Sequence, residues 1–150
     1  MSWTHDFLAV VRVDAQLHIV DVPDKVSLVA GPGYHPVVAT ANGAAFHAAL
    51  TPRSGGRHRL HLPVEVRQTA GIAVGDTVAM VVQPDPTGSV PAVPDDVGRA
   101  LDAIEGGRRR FDALPTPVAR EMLAWIDSAA RSDDRVRRIV RLLARVVEPA

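Results

Sequence analysis

Cysteine is absent from the 150-residue chain. This absence excludes disulfide bonds, thiolate nucleophiles and cysteine metal sites, and it is compatible with either redox compartment. Net charge is lacking too, because 17 basic residues balance 17 acidic ones. A neutral protein has no overall field that would gather nucleic acid or an anionic membrane, so any such binding needs a local patch.

The chain also lacks a leader-like start and a long apolar run. Residues 1–7, MSWTHDF, have neither the basic nor the apolar region of a secretion signal. No apolar run approaches the roughly 20 residues of a membrane span, so we expect a cytoplasmic protein without one. With 47% hydrophobic residues, the chain can bury one ordinary core, or a compact domain with an appended helical piece.

Residues 1–85 have the pattern of β-structure. Phe7–Val13 and Leu17–Val22 are rich in β-branched residues and are separated by a short connection, which indicates a hairpin. The dipeptide Asn42-Gly43 favours positive φ at both central positions of a turn, so it predicts a second hairpin. We therefore predict a β-barrel domain over residues 1–85.

The pattern changes at a proline-rich stretch, residues 86–95, which we interpret as a linker. Beyond it, residues 96–150 repeat their apolar residues with a helical period, which predicts a helical tail. We expect Thr116 to cap one helix and Ser132 to cap the last one. The apolar stripe expected on the last helix consists of Val136, Ile139, Val140, Leu143 and Val147.

An internal repeat gives the β-rich part its organisation. Residues 17–39 and 57–79 align at an offset of 40 without a gap, and seven of the 23 aligned positions are identical. The matches include Pro23 with Pro63, so each copy reads as strand, proline-opened helical turn, glycine stop and strand. Because one such unit cannot cover its own apolar face, we predict that the copies interlock as a pseudo-twofold barrel within one chain.

Part of the second copy resembles a known family. Residues 62–82, LPVEVRQTAGIAVGDTVAMVV, are similar to the swapped-hairpin unit of the AbrB, MazE and SpoVT family, in which a strand and a proline precede a short helix ending in GI, then GD and a second strand. That family builds a double-split barrel from two chains and binds DNA through its basic face. The resemblance implies an α+β fold: a mostly-β, single-chain double-split barrel with a C-terminal helical tail.

A wider resemblance covers nearly the whole chain. The β-rich part, with ANGAAF at residues 41–46 and GIAVGD at residues 71–76, resembles a bacterial domain of unknown function. The tail resembles the YdeI or OmpD-associated, bacteriocin-protection family, in which a Trp-Ile pair precedes an Arg-x-x-Arg-Ile run. Here Trp125-Ile126 and Arg135–Ile139 match, whereas Asp134 stands where that family more usually has threonine. The resemblance implies a link to stress or bacteriocin resistance and no established chemistry.

The loop RSGGRHR, residues 53–59, is the best candidate for an anion site. Its two glycines allow backbone N–H groups to converge, and arginines flank them. The loop lacks the lysine and hydroxyl of a phosphate-binding loop, and a plain hairpin connection is the alternative interpretation. Strand alternation points the side chains of Arg57, Arg59 and His61 outward, beside Arg53. The predicted ligand- or anion-binding surface consists of Arg53, Gly55, Gly56, Arg57, Arg59 and His61.

Two functional interpretations stay open. The favoured one is a non-enzymatic protein, a monomer or weak dimer, that binds a small anion or a protein partner without cofactor, metal or catalytic residues. The sequence has no helical His-x-x-x-His pair, no nucleophile elbow and no carboxylate pair spaced for acid-base work. The alternative is an AbrB-like nucleic-acid-binding regulator. The repeat argues against this alternative. A two-chain barrel presents its cationic face twice, but here the first copy has Leu17, Ile19 and Asp21 where the second has outward cations, so the cationic face occurs once.

Overall fold

The computed structural model describes residues 2–147, and the chain divides into two compact units, Met1–Ala92 and Val93–Ala150. Within the described residues, the first unit contains the strands and two short helices, and the second contains helices only. The elements are β1 (His5–Val10), β2 (Arg12–Asp14), β3 (Leu17–Asp21), α1 (Asp24–Ala30), β4 (His35–Ala41), β5 (Ala44–Pro52), β6 (His58–His61), α2 (Val64–Ala70), β7 (Thr77–Pro84), α3 (Asp95–Asp102), α4 (Gly107–Asp112), α5 (Thr116–Asp127) and α6 (Ser132–Val147).

The strands form one antiparallel, seven-stranded sheet in the order β1-β7-β4-β5-β6-β3-β2. The two edge strands, β1 and β2, are consecutive in the chain and are separated only by Val11. The sheet must therefore curl, and it forms a half-barrel. Val11 is buried, and its backbone N–H donates to the carbonyl of Asp76 at 2.9 Å while its carbonyl accepts from Gly75 at 2.8 Å. The α+β class expected from the sequence is thus confirmed.

The two sequence copies pair with each other symmetrically. In the β3–β6 ladder Ile19 pairs with His61 and Asp21 with Arg59, so the ladder is centred on Val20 and Leu60, which are equivalent positions of the repeat. The β4–β7 ladder has the same property, because its centre lies between the pairs Thr40–Val81 and Ala41–Met80. Helices α1 and α2 also begin and end at equivalent residues. Each strand of one copy therefore uses its counterpart in the other copy as a partner.

The duplication extends beyond the residues that align in sequence. Strand β5 pairs first with β4 of the other copy and then with β6 of its own copy. The β1–β2 segment behaves in the same way, because β1 pairs with β7 of the other copy and β2 with β3 of its own. The duplicated unit therefore includes a leading strand in each half.

The turns follow from local residue chemistry, and the structure corrects the expected position of the prolines. Asn42 and Gly43 both have positive φ, 48° and 88°, and they connect β4 to β5 as the predicted hairpin. Pro23 and Pro63 lie at the N-cap rather than at the first helical position, with φ of −63° and −64°. The glycines that follow α1 and α2 both have positive φ, but only Gly71 has the left-handed helical conformation, because Gly31 has a ψ of 173°.

Alternation along the strands builds the core of the first unit. In β7 the side chains of Val78, Met80 and Val82 are buried while the residues between them are exposed, as expected for a strand with one face in the core. Both helices contribute a valine from the same repeat position. The core consists of Val11, Val20, Val22, Val26, Val37, Ala39, Ala41, Phe46, Ala48, Leu50, Leu60, Leu62, Val66, Ile72, Val78, Met80 and Val82.

In the C-terminal unit, a buried arginine joins three helices. Arg135 of α6 donates two hydrogen bonds to Asp96 of α3, at 2.6 and 2.9 Å, and a third to Asp127 of α5 at 2.8 Å. Only 8% of the Arg135 side chain is exposed. Burial alone would lower the pKa of this guanidinium, but the hydrogen bonds and charges of Asp96 and Asp127 outweigh it and raise the pKa. Arg135 therefore stays charged and joins helices α3, α5 and α6.

A second arginine of α6 binds the end of α5. The Arg138 Nη1 donates to the backbone carbonyl of Trp125 at 2.5 Å and to the hydroxyl of Ser128 at 2.9 Å. Its guanidinium carbon also lies 5.2 Å from the centre of the Trp125 ring, a cation–π distance. A cation at a helix C-terminus satisfies carbonyl groups that lack partners within the helix. Arg138 thus caps α5 from the neighbouring helix.

The start of α5 and the buried face of α6 differ from the sequence expectations. Helix α5 begins at Thr116 with Pro115 as N-cap, one residue earlier than predicted. On α6, Ile139 is buried as expected, but Val136 and Val140 are 59% and 57% exposed. The stripe predicted for α6 is therefore wrong by about one helical position. The buried residues of α6 are Arg135, Ile139, Leu142 and Val146.

Candidate functional site

A groove lies beside α1 in the first unit. Its volume is about 480 Å³, and α1 forms one wall while the loop between β5 and β6 forms the other. The loop closes as a hairpin connection, because the backbone N–H of Arg53 donates to the carbonyl of Arg57 at 2.7 Å. The groove is lined by Asp24, Ser27, Leu28, Gly31, Pro32, Gly55, Gly56 and Arg57.

Ser27, which lines the groove, belongs to a buried hydrogen-bonded pair. The side chains of Ser27 and His58 are joined by a 3.0 Å hydrogen bond between Oγ and Nδ1, and His58 Nε2 lies 2.8 Å from the carbonyl of Gly33. A carbonyl can only accept, so a neutral His58 carries its hydrogen on Nε2 and Nδ1 accepts the Ser27 hydroxyl hydrogen. The pair therefore connects α1 to β6 and to the turn before β4.

A loose ion pair stands at the mouth of the groove. The Arg57 Nε lies 3.8 Å from a carboxylate oxygen of Asp24, and the two side chains are 68% and 78% exposed. At this distance and exposure the pair contributes little to stability, since water solvates both charges. Both groups are therefore available to a ligand.

Two of the arginines predicted for the site are engaged elsewhere. Arg53 is bonded to Asp21, and Arg59 donates to Asp14 at 2.8 Å. A hydrogen bond from Arg12 lowers the pKa of Asp21; burial opposes this shift, and the charges of Arg12 and Arg53 reinforce it. Neither Arg53 nor Arg59 lines the groove. Carboxylates of the first copy therefore pair with two of the cations that the sequence places on this strand face.

Three of the six residues predicted for the site line the groove. Gly55, Gly56 and Arg57 line the groove, whereas His61 is half-buried in β6 and does not. Sequence reasoning missed the whole α1 wall, including Ser27 and its partner. The repeat carried a signal for it, because α1 differs from α2 at the positions that line the groove.

That difference is visible position by position. Leu28 and Gln68 are equivalent and both are exposed, but only the first is apolar, with 81% exposure. Asp24 is replaced by Val64 in the second copy, and Ser27 by Arg67. Positions 24 and 28 are exposed, as positions 64 and 68 are, so packing in the core does not account for Asp24 or Leu28.

The glycine loop, in contrast, has a conformational counterpart. Gly55 and Gly56 have φ of 76° and 74°, and the equivalent residues Ala15 and Gln16 also have positive φ, 51° and 68°. Two consecutive left-handed residues therefore belong to the turn that precedes the first strand of each copy. The glycines relieve the strain of this turn and leave open space where side chains would stand.

A second cavity, of about 400 Å³, lies on the other side of α1. His35 Nε2 lies 2.8 Å from the carbonyl of Gly31 and 3.0 Å from that of Pro32, so it holds the turn between the two cavities. The lining residues are mainly apolar: Trp3, Val29, Ala30, His35, Pro36 and Pro84. With few polar groups, this cavity has less means of orienting a ligand than the groove has.

Two further properties of residues 2–147 bear on function. No group of three or more His, Cys, Asp or Glu side chains within them is arranged to hold a metal ion. Among the helices of the same residues, none has both the length and the apolarity that crossing a membrane requires.

Comparison with known families gives two adjacent matches. Residues 7–82 match the family described as a domain of unknown function (DUF1905). Residues 90–148 match the family described as bacteriocin-protection, YdeI or OmpD-associated. These matches confirm the wider resemblance stated from the sequence, in the same order along the chain. The comparison with curated proteins gives no match.

Proposed function

The chain belongs to the family of the domain of unknown function (DUF1905), and from this premise we propose that it is a non-enzymatic protein that binds a small polar ligand in the groove beside α1. The C-terminal match to a family described as bacteriocin-protection suggests that this binding serves resistance to a bacteriocin or a related stress.

The groove is the observation that carries the proposal. Small-molecule sites are concave, with volumes of about 300–1,000 Å³ and a few polar groups on mostly apolar walls. The groove has a volume of about 480 Å³, an apolar side chain in Leu28, and the charged pair Asp24 and Arg57 at its mouth. A concave site of this kind favours a small ligand over a protein partner.

The burial of His58 supports a binding role rather than an enzymatic one. The hydroxyl of Ser27 donates to a histidine, which is the geometry of an activated nucleophile. A catalytic histidine must also deliver the proton to the leaving group. His58 is only 1% exposed, and its second ring nitrogen is bonded to the Gly33 carbonyl. A bound ligand would therefore meet the serine but not the base.

We also propose that the half-barrel is a single-chain counterpart of the double-split barrel. The symmetric β3–β6 and β4–β7 ladders support this arrangement, because each copy uses the other as its partner, as two chains would. A chain that pairs its own halves has no need of a second subunit to complete its sheet. We expect the protein to be a monomer at micromolar concentration, which sedimentation velocity measures directly.

Amide chemical shifts of the full chain test the groove. We expect a library of amino acids, dicarboxylates, nucleotides and sugar phosphates to contain compounds that shift the resonances of residues 24–32 and 55–57. Leu28→Gln introduces the side chain that the second copy has at the equivalent exposed position, so it should weaken binding without unfolding the protein. Gln68→Leu, the reverse change on α2, is the matched control. If no compound shifts groove resonances, the proposal is wrong.

The link to resistance has its own test. Expression of the wild-type chain in a bacteriocin-sensitive bacterium should raise survival, and Leu28→Gln should abolish the gain while Gln68→Leu preserves it. Equal protection by both variants would separate the resistance from the groove.

The nucleic-acid alternative receives less support from the geometry. DNA binders gain affinity by neutralising several phosphates with free cations. Arg53 and Arg59 are instead bonded to Asp21 and Asp14. We expect no binding to random duplex DNA even at about 50 mM salt, where electrostatic affinity is strong. Salt-dependent binding at that concentration would restore the regulator interpretation.

A further inference from the structure

The groove separates hydrogen-bond acceptors from a donor. On the α1 wall, the Asp24 carboxylate can only accept. With His58 in its neutral form, the Ser27 hydroxyl gives its single hydrogen to His58 Nδ1, at 3.0 Å, so toward a ligand it can also only accept. On the opposite wall, the guanidinium of Arg57 can only donate. A complementary ligand therefore has a donor at one point and an acceptor at a neighbouring point.

The spacing of the two protein charges indicates how close those points are. Arg57 Nε and Asp24 Oδ1 are 3.8 Å apart, and both side chains are mostly exposed. A ligand whose own positive and negative groups share one carbon can lie alongside this pair, so that the four charges alternate in sign around a ring. A ligand with widely separated charges cannot form such a ring.

An apolar wall stands next to the charges. Leu28 is 81% exposed, and Pro32 continues the wall beyond the end of α1. The equivalent of Leu28 in the second copy is Gln68, and that of Asp24 is Val64, so the second copy lacks both the carboxylate and the leucine. Of the two short helices, α1 therefore combines a carboxylate with an exposed leucine and α2 does not.

We propose that the groove binds the zwitterion of an aliphatic α-amino acid. The ammonium group is held by Asp24 and Ser27, the carboxylate by Arg57, and the side chain packs on Leu28 and Pro32. This assignment rests on the proposed ligand-binding function and names the chemical class of the ligand. The volume of about 480 Å³ leaves room for a branched side chain.

The test is an amide chemical-shift titration of the full chain at pH 6.5 with L-leucine and three analogues. N-acetyl-L-leucine lacks the ammonium, L-leucinamide lacks the carboxylate, and glycine lacks the side chain. We expect leucine to shift residues 24–32 and 55–57, and each analogue to bind at least fivefold more weakly, since each loses one charge-assisted or apolar contact.

Variants assign the contacts within the groove. Asp24→Asn should weaken leucine about fivefold or more and leave the affinity for N-acetyl-L-leucine unchanged, because that analogue has no ammonium group to lose. Glu65→Gln, which also removes one carboxylate from the first turn of a short helix, is the control and should leave both affinities unchanged.

The outcomes separate this inference from the function on which it rests. If N-acetyl-L-leucine or L-leucinamide binds the groove as tightly as leucine, the zwitterion assignment is overturned while ligand binding stands. If glycine binds as tightly as leucine, the packing of an aliphatic side chain on Leu28 and Pro32 is overturned. The assignment is also overturned if leucine does not bind but other library compounds shift the groove resonances. If no compound of either set shifts them, both proposals are refuted.

Discussion

The Arg135→Met substitution should unfold the C-terminal unit at a much lower urea concentration than the wild-type chain requires. The change removes three hydrogen bonds and leaves Asp96 and Asp127 without the guanidinium that neutralises them. Removing one partner of a buried ion pair costs about 3–5 kcal/mol. The Asp96 and Asp127 side chains are 19% and 13% exposed. Water can then solvate them in part, so we expect a loss of about 3 kcal/mol, near the lower limit of that range.

Fluorescence can follow this unit separately. The chain has two tryptophans, Trp3 in the first unit and Trp125 in the second, so a Trp3→Phe background leaves a reporter in the C-terminal unit alone. With a urea dependence of about 1–1.5 kcal/mol per molar for so small a unit, the midpoint should fall by about 2–3 M. Arg135→Lys keeps the charge but cannot make both sets of bonds, so its midpoint should be intermediate.

Arg137→Met is the matched control for this experiment. Arg137 lies on the same helix, two residues further on, and is paired with Asp133 and Asp134, but its side chain is 70% exposed. Its loss should cost less than about 0.5 kcal/mol, as is usual for surface ion pairs. A loss below about 1 kcal/mol for Arg135→Met, or one equal to that of the control, would refute the view that the buried cluster organises the unit.

Three further predictions concern the first unit. Gly43→Ala places a side chain at a φ of 88°, so it should cost about 1 kcal/mol and lower the thermal midpoint of the first unit by about 4–8 °C; an unchanged midpoint would contradict the turn assignment. Ser27→Ala removes the donor to the buried His58 Nδ1 and should lower the free energy of unfolding in urea by about 1–3 kcal/mol. An unchanged free energy of unfolding would mean that the serine only lines the groove. The pKa of Asp21 is lowered from its ordinary value of 3.8, first by the hydrogen bond from Arg12, so its contribution is complete above that pH and is lost as the pH falls through the lowered pKa. The stability difference between wild type and Asp21→Asn should therefore be constant from pH 7 to about pH 5 and shrink below pH 4, and a difference that grows in acid would show that the sign is wrong.

Local chemistry made several features of the fold predictable. The Asn42-Gly43 turn, the repeat at an offset of 40 residues, and the change from strands to helices all follow from side chains that act on their own backbone or recur at a fixed period. Helix α4 was not predicted, because residues 105–110, EGGRRR, give no apolar period. The register of the strand pairing could not be predicted from the sequence either, although the symmetry of that register follows from the repeat.

The helical faces show where periodicity fails. Helix α6 carries two overlapping sets of apolar residues, and its sequence alone favours the set that includes Val136 and Val140. The structure buries Leu142 and Val146 instead, beside Arg135. The bonds of Arg135 to Asp96 and Asp127 require this rotation of the helix, and those partners lie 39 and 8 residues away in sequence. A pattern within one helix contains no information about such distant partners.

For the groove, the sequence by itself determined which residues could form the loop wall, because Gly55, Gly56 and Arg57 are a loop by composition. Only the tertiary structure decided which side chains stand opposite that wall. Ser27 meets His58 because helix α1, which follows β3, and the start of β6 are brought together by a ladder between distant strands. Strand pairing across 40 residues, which no local property of either segment specifies, places the glycine turn opposite the short helix and so forms the groove.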